Sequence, residues 1–392
     1  MSKNAKIIGV GMVKFMKPGK NEPYEIMASK AIRNAVQDAG IDFSEIKQAF
    51  AGYVYGDSTC GQAALYKVGM TGIPVMNVNN NCSSGSTALY LARQAVESGA
   101  IDCALAFGFE EMQPGALSEV WNDRTSPLKT FNDRLDELTN SSVPNGAIKF
   151  FGEAATAYIQ KYDANPDIFA KVAVKTRNHA INNPYSIFDK PLTVEEVLNS
   201  QVICPPYLTR FMACPPSCGA AAAIVCTDEF AKKHGIKNAV EIVSQVLATD
   251  TEATYENVLN VVGAEMTQRA AKELYEKAGI GPEDVDVVEL HDCFTPNEVI
   301  TYEGLGLCGE GEAETFINNG DNTYGGKFVV NPSGGLMSKG HPLGATGLAQ
   351  CTELVWQLRG QAEKRQVENA RVALQHNLGL GGAVVVSMYK IN

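Results

Sequence analysis

The sequence predicts an α/β fold in duplicate: two similar halves of alternating strand and helix, with a loop-domain insertion in the first. Three observations carry that expectation. Apolar runs of strand length alternate with stretches whose apolar residues recur at helical spacing. A helix ending in Ala-Gly-Ile, a short acidic turn and an apolar run occur twice. The last strand of each half opens on Gly-Ala, at Gly219 and again at Gly382. Internal repetition of this kind marks a duplicated unit.

In chain order, Ile7 to Val13 reads as a first strand, too short and glycine-broken for a signal segment. Residues 27–41 form a helix followed by the run Ala49 to Val54, and residues 266–280 form its counterpart before Val285 to Leu290. Val75 to Val78 is a short strand leading through an Asn-rich loop to Cys82-Ser-Ser-Gly85, and an amphipathic helix then runs to Gly99. Phe328 to Val330 and His341-Pro-Leu-Gly344 repeat that passage in the second half. Cys82 and His341 therefore occupy equivalent places at the mouths of two helices. The buried run Cys103 to Phe107 reads as a parallel strand covered on both faces.

Between its reactive helix and its last strand the first half is longer by roughly ninety residues, placed at Ser118 to Phe211. Pro, Asn and charge are enriched there, as in a lid or binding loop. The expected division is 1–117 with 212–237 as one half, 118–211 as the insertion and 238–392 as the other half. Two such halves meeting about a pseudo-twofold put Cys82 and His341 opposite each other across one pocket.

A chain of 392 residues with 45% hydrophobic and 20% charged content is globular and exceeds one ordinary core. A net charge of −11 and a pI near 5.1 argue against nucleic acid or an anionic membrane as the main partner. No stretch is long and apolar enough to span a membrane. The ten cysteines lack a disulfide-scaffold spacing, so a reducing compartment is expected. Cys214 and Cys218 have the spacing of half a zinc knuckle without a second half, so no metal is expected.

The unpaired N–H groups and dipole of a helix mouth favour the thiolate, and small neighbours would leave the Cys82 sulfur uncovered. The alternative is a buried thiol acting as a small hydrophobe. His341, in a glycine-rich loop opening a helix, could take the thiol proton; otherwise it caps a turn. His291-Asp-Cys293 follows an apolar strand, and Cys293 is either a second acid/base or a packed thiol. His376 and Asn377 precede Leu-Gly379-Leu-Gly-Gly382, a turn whose N–H groups could face an oxyanion. His179 and His234 are expected at the surface.

The motifs Asn-Asn-Cys82-Ser-Ser-Gly-Ser, Asn331-Pro-Ser-Gly-Gly-Leu-Met-Ser-Lys-Gly-His341-Pro-Leu-Gly-Ala-Thr-Gly and the closing Gly-Leu-Gly-Gly-Ala383 resemble the thiolase superfamily over the whole chain. His291-Asp-Cys-Phe294 and Gly56-Asp-Ser-Thr-Cys-Gly61 resemble the thiolase part of the peroxisomal sterol carrier protein X group. The resemblance implies a layered αβαβα fold, coenzyme A as substrate with no permanently bound cofactor, and a homodimer. It implies thiolysis of 3-oxoacyl-CoA, of medium or long, 2-methyl-branched or bile-acid side-chain type, to a shortened acyl-CoA plus acetyl- or propionyl-CoA. Cys82 is then the nucleophile, His341 its activator and Cys293 the second acid/base. His291 stands where most thiolases orient a water with asparagine, and the N–H groups of Cys82 and Gly379 hold an oxyanion, with His376 and Asn377 behind. Ser333, Gly334, Lys175 and Arg177, with Lys171 and Arg210, are the candidates for CoA contacts.

Two departures stand out. The last loop, Leu374 to Ala383, holds no cysteine, where most thiolases carry their second catalytic thiol, and Cys218 stands before Gly219 where an aspartate is usual. No sterol-carrier domain follows Asn392 within this sequence, so lipid transfer is not expected. The resemblance implies a peroxisomal location although the chain does not end in Ser-Lys-Leu; cytoplasm and mitochondria are the alternatives. A ketoacyl-synthase-like condensing enzyme and a non-catalytic acyl-CoA binding protein are the competing functions.

Overall fold

The computed structural model describes residues 4–114 and 121–391. The expected start of the insertion at Ser118 and the boundary after residue 117 lie outside the described residues. The first half runs β1 (Ala5–Met12), α1 (Tyr24–Ala39), β2 (Gln48–Gly52), α2 (Cys60–Tyr66), β3 (Val75–Val78), α3 (Ser84–Glu97) and β4 (Cys103–Glu110). Then come α4 (Lys129–Thr139), α5 (Ala147–Tyr162), α6 (Asp167–Ala180), α7 (Val194–Leu198) and a hairpin of β5 (Val202–Cys204) and β6 (Leu208–Thr209). The half closes with β7 (Gly219–Thr227) and α8 (Asp228–Lys233).

The second half repeats the plan. It runs β8 (Val240–Ala248), α9 (Val258–Val261), α10 (Ala264–Ala278), β9 (Val287–Glu289), α11 (Thr295–Gly304), α12 (Ala313–Asn318), β10 (Val329–Val330), α13 (Thr346–Leu358), β11 (Val372–Gly379) and β12 (Ala383–Lys390). The matching helices α1 and α10 both end on a left-handed glycine, Gly40 at φ 65° and Gly279 at φ 64°. Only glycine adopts that conformation without steric cost, so each Ala-Gly-Ile is a stop signal.

Ten strands hydrogen-bond in the order β10-β9-β11-β12-β8-β1-β7-β4-β2-β3. Read outward from the β8/β1 seam, both halves give the same order. The expected parallel strands are only part of each half: β2, β3 and β4 are parallel, as are β9, β10 and β11, whereas β7 and β12 run antiparallel to both neighbours. In the second half the cause is local, because a tight turn joins β11 to β12 and such a turn forces antiparallel pairing.

Among the described residues the seam pairs Lys6 with Glu241 and Ile7 with Val240. Across it, α3 and α13 pack on each other, and each touches strands of both halves. Along β7, Ala220, Ala222 and Ile224 pack with residues of α1, while Ala221, Ala223 and Val225 pack with residues of α3 and α13. Both faces of the strand are covered, hence its unbroken apolar sequence. With α10 on β8 and β12, the layers alternate helix, sheet, helix pair, sheet, helix.

Glycine makes the central crossing possible. A Cβ on Gly85 would lie 2.6 Å from the carbonyl oxygen of Gly344, and one on Gly347 would collide with the Ser86 hydroxyl. Among the described residues no helix is long and apolar enough to cross a membrane.

Candidate active site

Cys82 sits on the turn from β3 into α3. Asn81 takes a left-handed conformation at φ 49°. The Ser83 hydroxyl donates to the Asn80 carbonyl at 2.8 Å and the Ser84 hydroxyl to the Asn81 carbonyl at 2.6 Å. The serines were expected to leave the sulfur open; instead they hold the turn, and Cys82 is buried at 5% exposure. Nor does the helix mouth give an easily ionised thiol. Burial, with a smaller push from the Glu110 carboxylate, raises Cys82 to about 12, against weaker downward pulls from the backbone N–H groups of Cys82 and Leu380. Desolvation exceeds the dipole here because the site is closed. The second N–H at the sulfur is thus that of Leu380, one residue beyond Gly379, and the Asn81 amide ties the two loops by donating to the Leu380 carbonyl at 2.9 Å.

His341 arrives from the other half, five residues before α13 begins rather than at its first turn. Its backbone N–H donates to the Ser217 hydroxyl at 2.9 Å. The ring tautomer follows from the neighbours. Thr346 Oγ1 donates to the Pro342 carbonyl at 3.1 Å, so that oxygen is left to accept from His341 Nδ1–H at 2.7 Å. Nε2 is then a bare acceptor, and it is buried with no hydrogen-bond partner among the described residues. Burial lowers His341 to about 3. The resting ring is a neutral base.

His291 follows β9, and its ring stands edge-on to His341 with centroids 5.0 Å apart. The Cys82 sulfur and a ring nitrogen of each of His291 and His341 lie within 4.8 Å of one another. Burial first, then His341 and His376, hold His291 well below its usual value. Its Nδ1 faces the side-chain amide nitrogen of Asn377 at 3.1 Å. A donor there leaves the ring proton on Nε2, so the trio suits acid–base work better than metal ligation, which needs a lone pair on each ring. His376 stands behind, its Nδ1 accepting from the His291 backbone N–H at 3.4 Å.

Cys293, at 6% exposure, is pushed well up by burial, then by Cys214 and Cys82. The Cys214 backbone N–H donates to the Cys293 carbonyl at 2.9 Å. Three thiols therefore gather at the site. In the sequence Cys214 is only half a metal motif; its place here depends on the strand-like bridge between Ala213 and Phe294. Glu110 was also missed. It ends an apolar strand, accepts from the backbone N–H groups of Val54, Tyr55 and Gly344 at 3.1, 2.9 and 3.0 Å, and burial raises it to about 7. One acidic residue closing an apolar run was the available signal.

Of the expected CoA contacts, Lys175, Arg177, Ser333 and Gly334 turn inward, whereas Arg210 is exposed and Lys171 reaches the Asn318 side chain at 2.6 Å. Lys175 is buried in an ion pair with Glu298 and lies near the Val330 carbonyl. Arg177 is buried with its guanidinium over the Phe188 ring at 4.3 Å. Ser333 donates its hydroxyl to Glu289 at 2.8 Å, and Gly334 packs so closely on Ala180 that a Cβ would lie 2.5 Å from the alanine methyl. His179 is likewise buried, not at the surface: its Nδ1 lies 3.0 Å from the Asn331 carbonyl and its Nε2 2.7 Å from Thr323 Oγ1. His234 is half-buried and stacked on Phe230 at 4.2 Å.

Comparison with known proteins identifies the family. Residues 6–203 match the family described as thiolase, N-terminal domain, and residues 234–389 match thiolase C-terminal domain-like. Sterol carrier protein 2 of Rattus norvegicus is 52% identical over 391 residues, covering 98% of this chain and 71% of that protein. Non-specific lipid-transfer protein-like 2 of Caenorhabditis elegans is 44% identical, covering 98% of this chain and 95% of the relative. Among solved structures, the Ltp2-ChsH2(DUF35) aldolase superposes with a TM-score of 0.84 at 22% identity, over 99% of this chain and 98% of that one, a likeness of fold. With family models matched over residues 6–203 and 234–389 and a 52% identical relative covered over 71% of its length, the chain belongs to the thiolase family.

Proposed function

We propose that this thiolase-family enzyme cleaves 3-oxoacyl-CoA with coenzyme A through an acyl-enzyme on Cys82. The observation that carries the reading is the approach of the Cys82 sulfur, His291 and His341 to within 4.8 Å of one another, with Cys293 near enough to Cys82 to be raised by it. His341 Nε2 takes the thiol proton as sulfur attacks the 3-keto carbon. The N–H groups of Cys82 and Leu380 meet the resulting oxyanion. The C2–C3 bond breaks, leaving the acyl group on sulfur and an enolate whose thioester oxygen accepts from His291 Nε2–H. Cys293 gives its proton to C2, then removes the thiol proton of incoming CoA, whose sulfur attacks the Cys82 thioester; the released Cys82 sulfur takes its proton back from His341, which restores the enzyme.

Medium or long, 2-methyl-branched or bile-acid side-chain substrates are proposed on the resemblance alone, as are a homodimer and a peroxisomal location. Residues 118–211 are proposed as the lid. A condensing enzyme is the second reading, because Cys82 with two histidines also fits it; the nearby Cys293 thiol favours thiolysis. In the assay, CoA-dependent cleavage of straight and 2-methyl-branched 3-oxoacyl-CoA is followed with wild type and Cys293→Ser. Loss of cleavage by about a hundredfold or more supports thiolysis. Unchanged cleavage, or condensation as the only activity, refutes it.

A further inference from the structure

His291 needs its ring proton on Nε2 if it is to donate to an enolate, and nothing in its own chain segment dictates that tautomer. A line of buried side chains behind it does. Gln375 is oriented at both ends: its Nε2 donates to the Gly347 carbonyl at 2.6 Å, which can only accept, and its Oε1 accepts from the Tyr389 hydroxyl. The same Nε2 approaches Ser86 Oγ at 3.0 Å, nearer than Gln350 Oε1 at 3.2 Å, and an amide nitrogen only donates, so the serine oxygen accepts there. Its own proton then goes to Asn377 Oδ1 at 2.8 Å. The asparagine amide is thereby turned so that its nitrogen, not its oxygen, meets His291 Nδ1 at 3.1 Å. All five side chains are buried, so water does not compete for these bonds.

We propose that Gln375, Ser86 and Asn377 form a directional relay whose task is to lock His291 as the Nε2–H tautomer. The relay and the Thr346 contact on His341 set opposite tautomers on two rings 5.0 Å apart, making one a donor and the other an acceptor. Gln375, Ser86 and Asn377 are positioning residues, acting through His291. The proposal deepens the thiolase reading and rests on it for the use made of the donor.

The test is 15N NMR of histidine-labelled protein, in which loss of one signal pair in His291→Asn identifies the residue among five histidines. The relay predicts a protonated Nε2 and a bare Nδ1 at His291 in wild type. In Asn377→Asp the carboxylate accepts where the amide donated, and the proton moves to Nδ1. On the thiolase reading kcat then falls about a hundredfold or more, while KM and the rate of Cys82 alkylation stay near wild type. A wild-type His291 protonated on Nδ1, or a tautomer that Asn377→Asp leaves unchanged, overturns the relay. A switched tautomer with full kcat supports the relay and overturns the part given to His291 in the thiolase reading.

Discussion

At the scale of single residues, the site is built from groups held in their neutral forms. Burial raises the Cys82 thiol to about 12 and lowers His341 to about 3, so proton transfer between them awaits substrate. A group with a raised value gains reactivity only as pH approaches it. Alkylation of Cys82 by iodoacetamide should therefore climb about tenfold per pH unit through pH 9, with no plateau near pH 7. Glu110, titrating near 7, adds to the thiol's reluctance once ionised. Glu110→Gln should speed alkylation at pH 8 by roughly threefold or more; an unchanged rate would show that the carboxylate does not reach the sulfur. The helix mouth does not ionise the Cys82 thiol because a dipole is a local property and desolvation a tertiary one. Cys82 and His341 were legible because duplication placed them in register. Asn377 was legible as a residue behind the oxyanion loop, but its link to Ser86 was not, since it is a bond spanning 291 positions.

At the scale of elements, the strands and helices carrying the site were readable from their apolar spacing and glycine stops. Val75–Val78 appears with the expected limits. The direction of β7 and β12 was hidden, because an apolar run buried on both faces looks alike in either direction. Charge in the insertion misled for a related reason: a lysine reads as a surface cation until its partner is known. Lys175 on α6 faces Glu298 on α11, so it fastens the insertion to the second half. Lys175→Met should cost about 3–5 kcal/mol of stability, measured by denaturant unfolding, because it strands a buried carboxylate. The KM for CoA of the folded fraction should not change. A raised KM with normal stability would return Lys175 to the ligand.

At the scale of the whole molecule, the repeated order of five strands on either side of a two-pair seam lets α3 and α13 cross at glycine contact. That crossing brings Cys82, before α3, within 4.8 Å of His341, before α13, so the candidate site draws on both halves. In the proposed thiolysis an imidazole from one repeat activates the sulfur of the other. The most direct test is intact-mass and peptide spectrometry of the enzyme mixed with 3-oxoacyl-CoA in the absence of free CoA. The account predicts one acyl group on Cys82 in wild type and at least a hundredfold slower acylation in His341→Ala. Acyl transfer to a different residue, or wild-type acylation without the His341 ring, would contradict it.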